Sequence, residues 1–168
     1  MRKFKYNVLI CAGTGCKASA SHKVLTTFQE ELEKRAMSDD VQVIATGCFG
    51  FCEQGPIVKI IPDNTFYVKV TPEDVSNLID EHLVKGRKYD KLLYNDPETK
   101  QAVEDSKHMD FYKKQLRIAL RNCGFIDPER IEDSIARDGY MALGKCLIEY
   151  SPADTIEVIK KSGLRGRG

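Results

Sequence analysis

The residues of this chain best able to do chemistry are its six cysteines, and four of them fall into two close pairs. Cys11 and Cys16 are separated by four residues, Cys48 and Cys52 by three, and 31 residues lie between the pairs. A structural zinc site usually draws two ligands from a tighter Cys-x2-Cys knuckle, and a thioredoxin-type redox site needs Cys-x-x-Cys; neither spacing occurs. A two-iron core bridged by sulfide needs four thiolates, two on each iron, on loops long enough to wrap it. Four intervening residues also occur in one pair of the plant-type ferredoxin pattern. The spacing is therefore read as a [2Fe-2S] centre with Cys11, Cys16, Cys48 and Cys52 as ligands. A zinc-stabilised interaction module and a thiol redox protein stand as the alternatives.

The neighbouring residues suit such a centre. Gly13, Gly15, Gly47 and Gly50 let backbone approach the sulfurs and turn N–H groups toward a core of net negative charge. Phe49 and Phe51 lie within the second loop, either screening the centre from water or packing into the core. Lys17 beside Cys16 could stabilise a reduced centre by its charge but reads rather as a solvated surface lysine, and His22, with four cysteines already completing a ligand set, reads as the surface of the helix start. Cys123 and Cys146 stand alone among apolar residues of helical segments and read as small buried hydrophobes.

The pairs must be brought together by the elements between them. Tyr6 to Ile10 is a short apolar run ending at Cys11, and a helical pattern follows from about Ser21 to Met37 with Val24, Leu25, Phe28 and Leu32 on one face. Val41 to Ala45 reads as a second strand ending before Cys48. Ile57 to Ile61 and Phe66 to Val70, joined through Pro62-Asp63-Asn64, read as a hairpin. Thr71, Pro72 and Asp74 open a helix carrying Val75, Leu78, Ile79 and Leu83 and stopped by Gly86. A right-handed strand-helix-strand crossover makes the first two strands parallel, so both cysteine pairs start at one edge of the sheet. The fold class is α/β, with the element order of a thioredoxin-like domain over residues 1–88.

Residues 89–109 are charged, contain Asn95-Asp96-Pro97 and lack sustained periodicity, so they read as a linker. Residues 110–168 read as a small helical segment: Phe111 to Asn122, a helix opened by Asp127-Pro128, Tyr140 to Tyr150, and one opened by Ser151-Pro152 and closed at Gly163. Short helices of this kind would bury a marginal core by themselves. The chain carries 26 Lys and Arg against 25 Asp and Glu. This balance argues against a general nucleic-acid binder, because phosphate backbones demand a concentrated positive surface. Neither a signal-peptide core nor a membrane-length apolar run occurs, so a soluble, cytoplasmic protein is expected.

Residues 1–88, with this cysteine spacing and Gly47-Cys48-Phe49-Gly50-Phe51-Cys52, resemble the thioredoxin-like [2Fe-2S] ferredoxin family. The later run Gly139-Tyr140-x-Ala142-Leu143, Ser151-Pro152 and Ser162-Gly163-Leu164-Arg165-Gly166-Arg167-Gly168 resembles the beginning of the flavin- and NADH-binding domain of complex I flavoprotein subunits. Where that family often has a proline-containing lead into the helix at Phe111, this chain reads Met109-Asp110-Phe111-Tyr112. The combination resembles most closely the NADH-binding beta subunit of NAD(P)-linked, electron-bifurcating [FeFe]-hydrogenases, with NAD-dependent formate dehydrogenases and complex I as relatives.

The resemblance implies one-electron transfer inside a larger oxidoreductase, with FMN, NAD(H) and further iron-sulfur clusters in a full-length parent whose active site lies beyond Gly168. It implies that Arg165, Gly166, Arg167 and Gly168 begin a cofactor-binding, phosphate-approaching loop; by themselves they are a weak motif, readable first as a disordered, solvated end and otherwise as an arginine-glycine segment touching nucleic acid. Expected partners are other subunits of a multi-subunit oxidoreductase, namely a hydrogenase catalytic subunit and a small [2Fe-2S] subunit, and a soluble ferredoxin, with no nucleic acid and no membrane.

Overall fold

A computed structural model describes residues 4–166. The chain divides into two compact units, Met1–Pro128 and Glu129–Gly168. The first unit holds a four-stranded sheet in the order β2-β1-β3-β4, built from β1 (Tyr6–Cys11), β2 (Val41–Thr46), β3 (Val58–Ile61) and β4 (Thr65–Tyr67). β1 and β2 are parallel and joined through α1 (Thr14–Ala18) and α2 (Ser21–Lys34), whereas β3 runs antiparallel to both β1 and β4. The strand-helix-strand unit and the hairpin thus follow the hydrophobic pattern.

Alternation along the strands gives the sheet two buried faces. Val8, Ile10, Val58 and Ile60 face one cluster, in which Val24, Phe28 and Leu32 of α2 supply a stripe at i, i+4 and i+8. α3 (Val75–Leu78) completes this layer and continues into a wider-turned segment, Ile79–Val84, with Leu78, Ile79 and Leu83 buried. The opposite face collects Leu9, Cys11, Ile44, Phe66 and Val68 with Cys16, Phe49, Ile57 and Met109. Fully burying one such leucine, isoleucine or phenylalanine stabilises the fold by about 1.5–3 kcal/mol before entropy is charged against it.

The start of the α3 segment is fixed as its residues require. Thr71 donates its N–H and its hydroxyl to Asp74 Oδ2 at 3.1 and 2.9 Å, with Pro72 at the first helical position. Burial works against the Asp74 charge, but hydrogen bonds from Lys91 (2.7 Å) and Thr71 outweigh it and hold the carboxyl below its usual range.

Residues 89–109, expected as a linker, instead finish the sheet. The Val68 N–H donates to the Leu92 carbonyl at 2.9 Å, and the Phe66 N–H to that of Glu104 at 2.8 Å. β4 would otherwise leave a row of free backbone groups at the sheet edge, and this segment supplies their partners. Between these points lies a small ladder, β5 (Tyr94–Asn95) with β6 (Ala102–Val103). Leu92, Leu93 and Met109 are buried, and the division between units falls after Pro128 rather than at residue 88. Irregular backbone tied to one sheet edge has no periodicity, which is why the pattern read as a linker.

The expected helix from Phe111 to Asn122 shortens to α4 (Asp110–Lys113). The chain beyond it turns across the sheet edge, leaving Leu116 and Ile118 exposed and Gly124 buried at φ +80°. The second unit contains α5 (Ile131–Ile135), α6 (Met141–Glu149) and α7 (Pro152–Ser162). Ser151 and Asp154 form a reciprocal cap on α7, and Gly163 ends it in the left-handed region. Ile131, Met141, Leu147, Ile148, Ile156 and Ile159 remain exposed, as expected of short helices with little core between them. No helix among the described residues is long and apolar enough to cross a membrane.

Candidate metal centre

Strand register brings the two cysteine loops together. Cys11, the last residue of β1, pairs with Thr46, the last of β2, so the chain enters both loops from adjacent strand ends. The Cys11 N–H donates to the Ile57 carbonyl at 3.0 Å and the Ala12 N–H to that of Thr46 at 2.9 Å, pinning the first loop on both sides. Gly13 then precedes α1, whose single turn carries Cys16 inward.

The glycines show how closely the loops interleave. A Cβ on Gly13 would lie 3.0 Å from both Cβ and Sγ of Cys48, and one on Gly15 would lie 3.2 Å from Cys52 Sγ. A Cβ on Gly55 would reach within 2.7 Å of Cys16 Sγ. Ordinary carbon contacts are about 3.5–4.0 Å, so each loop approaches the other's sulfurs at distances a side chain would obstruct. Gly50 takes φ +80°, and its N–H donates to Cys48 Sγ at 3.2 Å, the kind of amide contact that stabilises negative charge on sulfur.

Cys11 and Cys16 are buried, Cys48 is half-buried, and Cys52 is exposed. Burial, then a hydrogen bond and charge from Cys11, then the charge of Cys52, push the Cys16 thiol up to about 12. The charge of Cys48 is foremost in raising Cys52, followed by burial and the Cys48 hydrogen bond. Cys16 thus lies within reach of the Cys11 charge, and Cys52 within reach of the Cys48 charge. Four crowded thiolates are tolerable only around a concentrated positive charge, which is what a metal core supplies. Among the described residues no group of three or more His, Cys, Asp or Glu side chains is placed to hold a metal ion. Two facing pairs suit a two-iron core, in which each iron takes two thiolates.

Phe49 is buried with its ring edge-on to Phe66 at 5.4 Å, and the half-buried Phe51 stacks on Phe111 at 4.6 Å. Of the two readings of these residues, packing into the domain is the one their ring contacts show. Lys17 and His22 are exposed. Cys146 lies in α6 of the second unit. Arg165 and Gly166 are exposed beyond α7, while Arg167 and Gly168 lie outside the described residues.

Several residues at the site give no sequence signal. The Tyr112 hydroxyl donates to the Phe49 carbonyl at 2.9 Å, and the Arg117 guanidinium to that of Cys48 at 3.0 Å. Burial raises the Tyr112 pKa; the Arg117 charge opposes this and the Cys11, Cys48 and Cys16 thiols add to it. Cys123 packs its sulfur where a Cβ on Gly47 would come within 2.7 Å. None of these contacts follows a motif, and Arg117 was hidden inside what reads as an ordinary helix.

Comparison with known proteins gives the family of the domain that carries these loops. A family model described as "Thioredoxin-like [2Fe-2S] ferredoxin" matches residues 2–83. The chain is 34% identical over 96 residues to "Ferredoxin, 2Fe-2S" of Clostridium pasteurianum, covering 94% of that protein and 52% of this one. This chain belongs to the thioredoxin-like [2Fe-2S] ferredoxin family. The likeness extends to three dimensions: the thioredoxin-like [2Fe-2S] ferredoxin from Aquifex aeolicus superposes with a TM-score of 0.50 at 26% identity, covering 54% of this chain and 90% of that one. Electron transfer through a [2Fe-2S] cluster is the work of such a ferredoxin domain. Over 56 residues the chain is 62% identical to "NADP-reducing hydrogenase subunit HndC" of Solidesulfovibrio fructosivorans. That stretch is 33% of this chain and 11% of the hydrogenase subunit.

Proposed function

We propose that Cys11, Cys16, Cys48 and Cys52 are the ligands of this ferredoxin domain's cluster, and that the chain passes single electrons within an NAD(P)H-linked flavin iron-sulfur oxidoreductase of the hydrogenase type. The observation that carries the ligand set is the interleaving of the two loops, with Gly13 against Cys48, Gly15 against Cys52 and Gly55 against Cys16. When bound, the cluster supplies a one-electron couple without acid-base chemistry. The protein's contribution is to hold four sulfurs, exclude water on the Cys11 and Cys16 side, and leave Cys52 open to a partner. Exposure of one ligand edge makes Cys52 the side from which electrons enter and leave.

Similarity to the hydrogenase subunit supports the choice of parent. On this reading the partners are further subunits of a multi-subunit oxidoreductase, among them a hydrogenase catalytic subunit and a small [2Fe-2S] subunit. FMN, NAD(H) and further clusters belong to the parent, with Arg165, Gly166, Arg167 and Gly168 opening a loop toward a cofactor phosphate.

Anaerobic reconstitution should give a brown protein with two irons and two acid-labile sulfides per chain and a paramagnetic signal after one-electron reduction. Replacing Cys11, Cys16, Cys48 or Cys52 by Ser should abolish or distort that signal, while Cys146→Ser should leave it intact. A colourless protein binding stoichiometric zinc would instead establish the zinc-module reading. Mixing with an NADP-reducing hydrogenase lacking its own subunit of this type tests the parent, and failure to restore hydrogen-dependent NADP reduction would exclude it.

A further inference from the structure

The family match ends at residue 83, yet the loop carrying Cys48 is held from outside that stretch. Four contacts converge on residues 46–49. The Tyr112 hydroxyl donates to the Phe49 carbonyl at 2.9 Å and the Arg117 guanidinium to the Cys48 carbonyl at 3.0 Å. The Gly124 N–H donates to Thr46 Oγ1 at 3.0 Å, and Gly124 faces the Phe49 ring so closely that a Cβ would come within 2.3 Å of it. The segment 112–124 is thus folded onto the loop rather than merely adjacent to it.

Its charge is also one-sided. Beside Phe49 lies a small cavity whose lining includes Lys59, Lys107 and Arg117 and no carboxylate. Lys59 is buried, with Nζ 4.2 Å from the centre of the Phe125 ring. Arg117 bonds directly to the backbone of a cysteine in the candidate ligand set.

We propose that residues 112–124 form a cap on the Cys48–Cys52 loop in which Arg117 is a positioning residue, fixing the Cys48 carbonyl and bringing a permanent positive charge to the edge of the centre so that its reduced state is favoured. The inference rests on the four-cysteine ligand set proposed above. Reduction adds one electron and one negative charge while no bond forms or breaks, so a fixed cation nearby stabilises the product more than the reactant. The guanidinium remains protonated throughout.

The test uses the full chain with its cluster, comparing wild type with Arg117→Gln and Arg117→Lys. Midpoint potentials come from mediated titration followed by paramagnetic resonance, and cluster stability from the rate of iron loss to a chelator. Arg117→Gln should shift the reduction equilibrium about tenfold toward the oxidised form, or about 59 mV for one electron. It should also lose iron several-fold faster. Arg117→Lys, which keeps the charge, should restore most of the potential. Equal potentials in wild type and Arg117→Gln would overturn the proposal, and so would equal shifts in Gln and Lys, since loop geometry alone would then be responsible.

If Arg117→Gln cannot retain a cluster, Tyr112→Phe decides. It removes only the bond to the Phe49 carbonyl and leaves the charge, so faster iron loss at unchanged potential supports the division of roles, whereas a potential shift overturns it. A wild-type chain that takes up no cluster defeats the underlying ligand assignment instead, a different result from a clustered wild type indifferent to Arg117.

Discussion

Gly13→Ala tests the interleaving of the two cysteine loops with the smallest possible intrusion. Gly13 has φ −62° and ψ 155°, a backbone any residue adopts, so alanine adds a methyl group without backbone strain. That methyl would sit 3.0 Å from Cβ and Sγ of Cys48. Carbon contacts settle at about 3.5–4.0 Å, so one loop must retreat by about 0.5–1 Å. Overpacking of this kind costs about 1–3 kcal/mol, and the loss of unfolded-chain freedom on replacing glycine returns about 0.4–1 kcal/mol. The net loss is about 0.5–2 kcal/mol, which at a urea slope of about 2 kcal/mol/M lowers the unfolding midpoint by about 0.3–1 M. The effect on the centre should be larger than the effect on the fold, because metal-ligand distances are held to about 0.2 Å. Iron loss to a chelator should therefore accelerate well beyond what the midpoint shift alone explains. Gly144→Ala is the control: Gly144 lies in α6 with open space at its Cβ, so alanine should leave the cluster untouched and stabilise its helix by about 1 kcal/mol. A Gly13→Ala protein with wild-type midpoint, resonance signal and iron-loss rate would refute the interleaved geometry.

Three further outcomes follow from the surrounding structure. Thr46→Val keeps the shape of a buried side chain but strands the Gly124 N–H, and should cost about 1–3 kcal/mol in chemical denaturation while loosening the loop toward faster iron loss. His82 is buried between the Tyr67 hydroxyl (2.6 Å) and Asp63 Oδ2 (3.1 Å); burial lowers its pKa despite the Asp63 charge. The unfolded chain then binds the His82 proton more readily than the folded one, so stability is complete above the ordinary value of 6.5 and is lost as pH falls toward the depressed folded value. Denaturation midpoints between pH 7 and 5 should fall more steeply for wild type than for His82→Gln. Asp74→Asn should cost about 0.5–2 kcal/mol at neutral pH by weakening the cap and the Lys91 pair. Since the folded Asp74 pKa is lowered, that difference should persist above 3.8 and vanish as pH falls through the folded value, readable from paired acid titrations.

What could be read in advance follows from how each residue is constrained. Val8, Ile10, Val24, Phe28 and Leu32 answer to the periods of strand and helix, so the crossover and the shared strand edge from which both cysteine loops start were legible. Thr71 and Asp74 announced their cap because its partners are three residues apart. Leu92, Leu93 and Met109 are buried singly by an irregular segment, and neither period registers such residues. Leu116 and Ile118 looked like part of a helix, but the contacts of Arg117 and Gly124 with the cysteine loop set the backbone there instead. Those contacts join positions 69 and 78 residues apart, a separation at which no local spacing rule acts.

Thr46 joins the legible and the illegible parts. It is the strand residue paired with Cys11, which any parallel crossover would supply, and its buried hydroxyl accepts the Gly124 N–H and donates to the Ile126 carbonyl at 3.3 Å. The strand end that positions the first cysteine loop therefore also anchors the segment clasping the second. A displacement of 112–126 would be felt at both loops, because the path these bonds make from that segment into the sheet ends beside Cys11. Burial of the fold's two inner cysteines and restraint of the outer loop are thus one mechanical arrangement, and a partner that moved the cap would alter the surroundings of all four sulfurs together.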